Sequence, residues 1–115
     1  MNVSLPHPIP DELAELIARR FRALGDPLRI RLLDTLRERE ATVSELAETV
    51  GASQQNVSKH LAVLADAGML GRRKDGTRVH YAIADEQVLG LCEDVCGSVE
   101  EQLRTLSALV GGGTR

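Results

Sequence analysis

The first part of the chain repeats apolar residues at the three- and four-residue spacing of an amphipathic helix. This pattern predicts a first helix that begins near Pro10 and ends at Gly25. Asp26 and Pro27 are residue types preferred at the N-cap and the first position of a second helix. The predicted inner faces are Leu13, Leu16, Ile17, Phe21 and Leu24 in the first helix and Ile30, Leu33 and Leu36 in the second.

Two further helices are predicted between residues 42 and 68. Thr42 followed by Glu45 has the form of a capping box and predicts the start of a short helix that Gly51 ends. Ser53 is a good N-cap for the next helix, which Gly68 closes as a left-handed C-terminal residue. The predicted inward-facing residues of these two helices are Leu46, Ala47, Val50, Val57, Leu61 and Leu64.

The pattern then changes from helical to alternating, which is typical of β-strands. Residues 70–74 are followed by Asp75-Gly76, a pair that suits a turn with positive φ, and then by alternating apolar and polar residues up to position 83. A β-hairpin is therefore predicted. Asp85 can cap a last helix over residues 86–109. We expect flexible tails at residues 1–9 and 111–115 around one domain at residues 10–110.

Three residues between positions 47 and 57 have the spacing of a helix-turn-helix. Ala47 is small enough for a close helix crossing, Gly51 supplies the φ of the turn, and Val57 faces inward to fix the second helix. The alternative is a generic three-helix bundle, which would also place Val57 inward. With the hairpin, the predicted fold is mainly α: a winged helix-turn-helix of about five helices and a two-stranded wing.

Polar side chains on the second helix of this unit, followed at once by a basic hairpin, predict DNA binding. Gln and Asn can pair with adenine in the major groove, and Lys59 can contact guanine or phosphate. Basic side chains on the hairpin suit phosphate or minor-groove contacts. The predicted DNA-binding residues are Ser53, Gln54, Gln55, Asn56, Ser58, Lys59 and His60 on the helix and Arg72, Arg73, Lys74 and Arg78 on the hairpin.

The charge distribution agrees with a local DNA-binding surface on a protein whose net charge is −3. Residues 68–84 carry four basic side chains against Asp75, whereas residues 85–101 carry six acidic side chains and no Lys or Arg. An ordinary solvated surface is the alternative interpretation. Phe21 and Tyr81 are the only aromatic residues, which argues against carbohydrate and single-stranded nucleic acid as ligands. No apolar run of transmembrane or signal-peptide length occurs, so we expect a cytoplasmic protein with no membrane partner.

Three stretches resemble the ArsR/SmtB family of winged-helix repressors. They are ALGDPLRIRLL at residues 23–33, SQQNVSKHL at residues 53–61 and GTRVHY at residues 76–81, and the similarity runs from about residue 12 to residue 105. The resemblance implies a homodimer joined by its first and last helices. It also implies binding to double-stranded operator DNA that a metal, a metalloid or a redox signal relieves.

The sensing sites that the resemblance implies are altered in this chain. Thr42 and Ser44 stand where many arsenic, lead and cadmium sensors have a Cys-x-Cys element, and hydroxyls hold soft metals poorly. The zinc-type site of the last helix would consist of Asp85, Gln87, Ser98 and Glu101, in which both histidines are missing.

Cys92 and Cys96 are then the candidate ligands for a soft metal or metalloid ion, or the target of an oxidant. At positions i and i+4 of a helix their side chains share one face, with Cβ atoms about 5–6 Å apart. They also belong to an apolar stripe, and a free cysteine often serves there as a small hydrophobic residue. Sensing and packing therefore both remain open, and no cofactor is required.

Other function classes fit the sequence less well. No Ser-His-Asp order with suitable context and no Gly-rich phosphate loop is present, so we do not expect an enzyme. A dimeric winged-helix module that binds protein rather than DNA is the second hypothesis. Such a module would not need a polar helix face followed by four basic residues.

Overall fold

A computed structural model describes residues 4–111 of the chain, so the outer parts of both expected tails lie outside the described residues. The chain divides into two compact units, one ending at Ala84 and one beginning at Asp85. The first unit contains α1 (Asp11–Leu24), α2 (Pro27–Leu36), β1 (Ala41–Thr42), α3 (Val43–Val50), α4 (Gln54–Asp66), β2 (Leu70–Asp75) and β3 (Arg78–Ile83). The second unit is formed by α5 (Gln87–Gly111).

The predicted caps start the helices where the sequence places them. Asp26 Oδ1 accepts hydrogen bonds from the backbone N–H of Leu28 at 2.8 Å and of Arg29 at 3.2 Å. Thr42 Oγ1 accepts from the Glu45 N–H at 3.2 Å, and the Thr42 N–H donates to Glu45 Oε1 at 3.0 Å, which completes the capping box. These bonds satisfy backbone N–H groups that have no partner within the helix.

The core of the first unit is aliphatic, and three residues predicted on inner helix faces are exposed. Leu16 is 56% exposed and Phe21 is 53% exposed, because α1 buries only Ala23 and Leu24 of its last turn. The third is Ile30 on α2.

The fully buried side chains of this core come from α2, α3, α4 and the residue before β2, and Ile30 is not among them. Ile30 is 46% exposed, because the buried face of α2 is centred between Leu32 and Leu33 and position 30 lies about 110° from that centre. The fully buried side chains are Leu32, Leu33, Leu46, Val57, Leu61, Leu64 and Met69.

The sheet has three strands in the order β1-β3-β2, all antiparallel, one more than the predicted hairpin. Within the hairpin, Asp75 pairs with Arg78, so the turn consists of Gly76 and Thr77 rather than Asp75 and Gly76. Gly76 has a φ of 65°, which is the left-handed conformation that the sequence predicted for the turn. The added strand β1 covers the outer edge of β3.

The second unit is a single long helix. Asp85 Oδ1 accepts from the Gln87 N–H at 3.0 Å, which confirms the predicted cap. The helix ends at Gly111, two residues beyond the predicted end. In the part of the chain that the structure describes, no helix is long and apolar enough to span a membrane.

Candidate nucleic-acid interface

The α3–α4 pair has the residues of a helix-turn-helix in the places that the sequence predicts. Ala47 is buried in α3, and its carbonyl accepts from the Gly51 N–H at 2.9 Å and the Ala52 N–H at 3.1 Å. Gly51 has φ 70° and ψ 40°, a left-handed conformation that ends α3. Val57 has no exposed surface. The turn is therefore closed by backbone bonds around Gly51, and α4 is anchored on Val57.

The first two turns of α4 carry the polar face. Ser53 Oγ accepts from the Asn56 N–H at 3.1 Å and so caps the helix. Six of the seven predicted DNA-binding positions on this helix are exposed, and His60 is half-buried. The exposed six are Ser53, Gln54, Gln55, Asn56, Ser58 and Lys59.

His60 is half-buried because Arg29 binds it. Arg29 Nη1 lies 3.0 Å from His60 Nδ1, and Arg29 Nε donates to the Ala23 carbonyl at 2.6 Å. Arg29 Nη2 donates to the Arg22 carbonyl at 3.2 Å. One guanidinium thus joins the C-terminal turn of α1 to the second turn of α4. The sequence showed Arg29 only as part of a family motif, without this role.

The strand register separates the four basic residues of the hairpin into two pairs. Residues directly opposite in an antiparallel ladder point to the same face, and neighbours along a strand point to opposite faces. Arg72 lies opposite Tyr81, and Lys74 is two residues further along the same face. Arg73 lies opposite His80, and Arg78 is on that second face. The four basic side chains are therefore divided between the two faces of the wing.

Two of these basic side chains have partners within the protein. Arg73 Nη2 donates to Glu40 Oε2 at 2.6 Å, and Arg73 Nε donates to Glu40 Oε1 at 3.3 Å. This side-chain bond lowers the pKa of Glu40 and, with the charge of Glu40, raises the pKa of Arg73. The Arg72 guanidinium lies 5.8 Å from the centroid of the Tyr81 ring, within the range of a cation–π contact. No pattern in the sequence indicated Glu40, since its partner is 33 residues away.

The two cysteines lie on α5 as free thiols in different surroundings. Cys92 is half-buried and Cys96 is exposed. Burial raises the pKa of the Cys92 thiol, which disfavours the thiolate at neutral pH. Within residues 4–111, no three His, Cys, Asp or Glu side chains are grouped so that they could hold a metal ion.

Comparison with known proteins places the chain among transcriptional regulators. A family model described as a helix-turn-helix domain matches residues 24–72, the segment from the end of α1 to the start of the wing. The chain is 40% identical over 95 residues to the HTH-type transcriptional regulator KmtR of Mycobacterium tuberculosis, covering 83% of this chain and 73% of that protein. It is also 40% identical over 83 residues to a probable mercury resistance operon repressor of Streptomyces lividans, covering 72% and 66% of the two chains.

Solved structures give the same result for the fold. The homodimeric winged helix-turn-helix DNA-binding domain of a possible ArsR-family transcriptional regulator from Mycobacterium bovis superposes with a TM-score of 0.74 at 32% identity. This match covers 82% of the present chain and 87% of that domain. The predicted fold class and the family resemblance are thereby confirmed. The chain belongs to the ArsR/SmtB family of winged helix-turn-helix transcriptional regulators.

Proposed function

We propose that this protein is a dimeric, sequence-specific DNA-binding repressor. The observation that carries the proposal is the exposed polar face of α4 next in sequence to a hairpin with four exposed basic side chains. Early residues of a helix-turn-helix recognition helix read base edges, and basic side chains beside it neutralise phosphates. A repressor of this kind acts on DNA, so we propose that the protein is cytoplasmic.

The two parts of the surface have different roles in this proposal. Gln54, Gln55 and Asn56 stand on the first turn of α4 and can form paired hydrogen bonds with adenine. Ser53, Ser58 and Lys59 supply phosphate or further base contacts. Arg72, Lys74 and Arg78 supply phosphate contacts from the wing, and Arg73 does so when it leaves Glu40.

The apolar stripe on α5 would be exposed to water in a monomer, and dimerisation through this helix would bury it. Val95 is 50% exposed and Val99 is 46% exposed, and Leu103 and Leu106 continue the same stripe in the next two turns. Exposed contiguous apolar surface of this kind marks interaction sites. The neighbouring structure from Mycobacterium bovis is a homodimer, which supports a second copy of this chain as the partner.

For the inducing signal we propose chemistry directed at the two thiols of α5. Cys92 and Cys96 are soft ligands one helical turn apart, and two thiolates suit a soft metal or metalloid ion. One relative is a probable mercury resistance operon repressor, which supports this class of ion. A second copy of the chain could complete the ligand set. An oxidant that joins or modifies the thiols is the other signal of this class.

A specific observation also supports the alternative for the cysteines. Cys92 is half-buried with a raised pKa, as expected for a small apolar packing residue. The protein would then be a repressor without a metal, or a dimeric module that binds protein. The double variant Cys92→Ser with Cys96→Ser separates these cases, because a packing role leaves the response to a soft metal or an oxidant unchanged.

An anisotropy titration against the DNA upstream of the protein's own gene tests the DNA proposal. We expect binding that is at least a thousandfold tighter than to random duplex of equal length, near the lower end of what specific regulators show. Equal affinity for both duplexes would rule out a sequence-specific regulator of that gene. Adding a soft metal to the wild type and to the double cysteine variant then tests the inducer.

A further inference from the structure

A groove lies between α1 and the C-terminal half of α4, within the first compact unit. Its volume is about 690 Å³, within the usual range of pockets that hold small molecules. We propose that this groove binds a small amphipathic organic anion, with an apolar body and a carboxylate head, and that the bound anion weakens DNA binding. The binding site stands on the groove alone, whereas the effect on DNA rests on the function proposed above.

The apolar part of the groove comes from both helices. Leu16 and Ala23 contribute from α1, and Val63 and Ala67 contribute from α4. Leu16 is 56% exposed and Val63 is 36% exposed, so apolar surface is accessible to a ligand. Removing such surface from water favours the binding of an apolar group. The ligand should therefore have an apolar body that contacts both helices.

The charged part of the groove is mostly positive. Four arginines line it, and Asp66 is the one acidic residue among its lining residues. A concave surface lined by charge of one sign concentrates ions of the opposite sign. The positive groove belongs to a protein whose net charge is −3, so attraction of an anion here is a local property. The four arginines are Arg19, Arg20, Arg22 and Arg29.

Two of these arginines can donate to the head of a ligand. Arg19 and Arg22 are exposed and lie three residues apart on α1, so their side chains are neighbours on the helix surface. Arg22 pairs with Glu15 at 3.9 Å, and both side chains are well exposed. An ion pair this long and this exposed contributes little, so a ligand carboxylate can replace it. Arg20 and Arg29 have interactions within the protein.

The length of the groove limits the kind of anion. Along α1, Leu16 and Ala23 are separated by a rise of about 10 Å. A linear acid of about this length reaches the apolar side chains of both helices and the arginines of α1. A small inorganic anion leaves the apolar side chains in water, and a DNA phosphate brings little apolar surface to them. We therefore favour a small amphipathic anion over DNA as the ligand.

The α4 side of the groove connects it to the predicted DNA-binding surface. Val63 follows Lys59 by four residues, so the two side chains lie on the same side of α4, one turn apart. An anion beside Val63 places negative charge near Lys59. Because DNA is a polyanion, this charge weakens its attraction to the same side of the helix. The bound anion and DNA should therefore oppose each other, and by linkage each weakens the other equally.

Three probes separate the contributions of apolar body and charge. Octanoate has a chain of about the length of the groove and a carboxylate, acetate has the carboxylate alone, and octylammonium has the same chain with a positive charge. Nitrogen-15 NMR titrations of the DNA-free protein at constant ionic strength measure affinity and locate the site. We expect octanoate to saturate, with shifts at residues 16–23 and 63–67. Acetate and octylammonium should bind at least about tenfold more weakly.

Matched substitutions test the lining residues. Arg19→Gln removes a charge from the groove, and Leu16→Gln replaces apolar surface with an amide. Each should weaken octanoate binding by about threefold or more. Arg37→Gln is the control, because it removes the same charge from an exposed residue at the end of α2 that does not line the groove. It should bind octanoate as the wild type does. Circular dichroism and thermal unfolding check the fold of each variant.

Anisotropy titrations with a duplex selected by the wild type test the effect on DNA. Saturating octanoate should weaken binding by about fivefold, a modest coupling, and acetate at the same ionic strength should not. Without octanoate, Arg19→Gln and Arg37→Gln should have the same salt slope, since neither side chain is proposed to contact DNA. With octanoate at the concentration that saturates the wild type, Arg19→Gln should lose much of the response and Arg37→Gln should keep it.

The proposed site is wrong if octanoate does not saturate, if octylammonium binds as tightly, or if the shifts are confined to the apolar stripe of α5. A salt slope smaller by about one unit for Arg19→Gln than for Arg37→Gln would make the groove a DNA contact instead. Octanoate that binds without changing duplex affinity would overturn the effect on DNA and leave the DNA-binding function standing. If the wild type prefers no duplex, the proposed function fails, and the NMR titrations still decide whether the groove binds the anion.

Discussion

Arg73 on β2 forms a salt bridge with Glu40 across the central strand β3, with hydrogen bonds of 2.6 Å and 3.3 Å. Glu40 immediately precedes β1, and β1 and β2 flank β3 on either side. The basic residue nearest the middle of the wing is thus already bound to a carboxylate. If Arg73 contacts DNA as proposed, it exchanges this partner for a phosphate, and the exchange reduces what the contact contributes to affinity.

Glu40→Gln is expected to raise DNA affinity by about two- to tenfold, because it releases Arg73 and removes a negative charge beside the wing. The log–log salt slope should become steeper by up to about one unit, since one more phosphate contact is available. Glu15→Gln is the control, because Glu15 is an exposed partner of Arg22 on α1 and the change in net charge is the same. Equal effects of the two variants would show that only net charge matters.

The pH dependence of the Arg73–Glu40 pair lies in the acid range. The pKa of Glu40 is lowered by its hydrogen bond to Arg73, so the stabilisation is fully present above the ordinary Glu value of about 4.3. It is lost as the pH falls through the lowered pKa. We expect unfolding measurements on wild type and Glu40→Gln to differ above about pH 5 and to converge in acid.

Arg78→Ala should reduce the salt slope of DNA binding by about one unit and weaken all duplexes about equally. Arg73→Ala should have a smaller effect, since Arg73 is bound to Glu40 in the free protein. The measurement is affinity at several salt concentrations for a selected and a random duplex. Unchanged affinity and slope for both variants would mean that the wing does not touch DNA.

Gln55→Ala should relax sequence preference, because Gln55 is exposed on the first turn of α4 and can pair with a base. We expect affinity for the best duplex to fall by about five- to a hundredfold while affinity for random duplex changes little. Lys59→Ala is the matched control on the same helix and should weaken both duplexes if it contacts phosphate. The interpretation of this face is wrong if Gln55→Ala leaves the preference intact.

Val99→Glu should convert the dimer to monomers and abolish tight operator binding, because it places a charge in the apolar stripe of α5. Ser98→Glu adds the same charge at the neighbouring exposed position and should remain dimeric. Sedimentation and anisotropy on both variants provide the comparison. A monomeric wild type that binds operator tightly would refute the role of α5 as the dimer helix.

Gly51→Ala should destabilise the protein by about 1–2 kcal/mol in urea unfolding, because residue 51 has a φ of 70°. An added Cβ meets no atom within 4 Å, so the cost is conformational and not a clash. Gly51→Asn should cost less, since Asn tolerates the left-handed region better than Ala. An Ala variant as stable as the wild type would mean that the turn can adopt another conformation.

Local features of this fold could be predicted from the sequence because their partners are a few residues apart. The caps at Asp26, Thr42 and Ser53 depend on bonds two or three residues along the chain. Gly51 similarly marks the end of α3 by its own conformation. Spacing along the chain is enough to specify such elements, and the winged helix-turn-helix follows from their order.

The features that the sequence did not predict depend on distant partners. The strand β1 is two residues long and exists because Ala41 pairs with Tyr81. The bonds from Arg73 to Glu40 and from Arg29 to His60 link residues more than 30 positions apart. Periodicity also placed Ile30 on the wrong side of α2, because the core contacts a face centred between Leu32 and Leu33. The candidate site was thus predicted as a set of exposed side chains, without the contacts that position them.

Selection of binding sites from random duplexes by the wild-type protein tests the central claim most directly. We expect an enriched inverted repeat whose half-sites lie about one helical turn, or a multiple of it, apart, because two copies of α4 related by a twofold axis read it. The same selection with Val99→Glu serves as the comparison and should enrich nothing. Recovery of no sequence above random by the wild type would contradict a sequence-specific dimeric regulator.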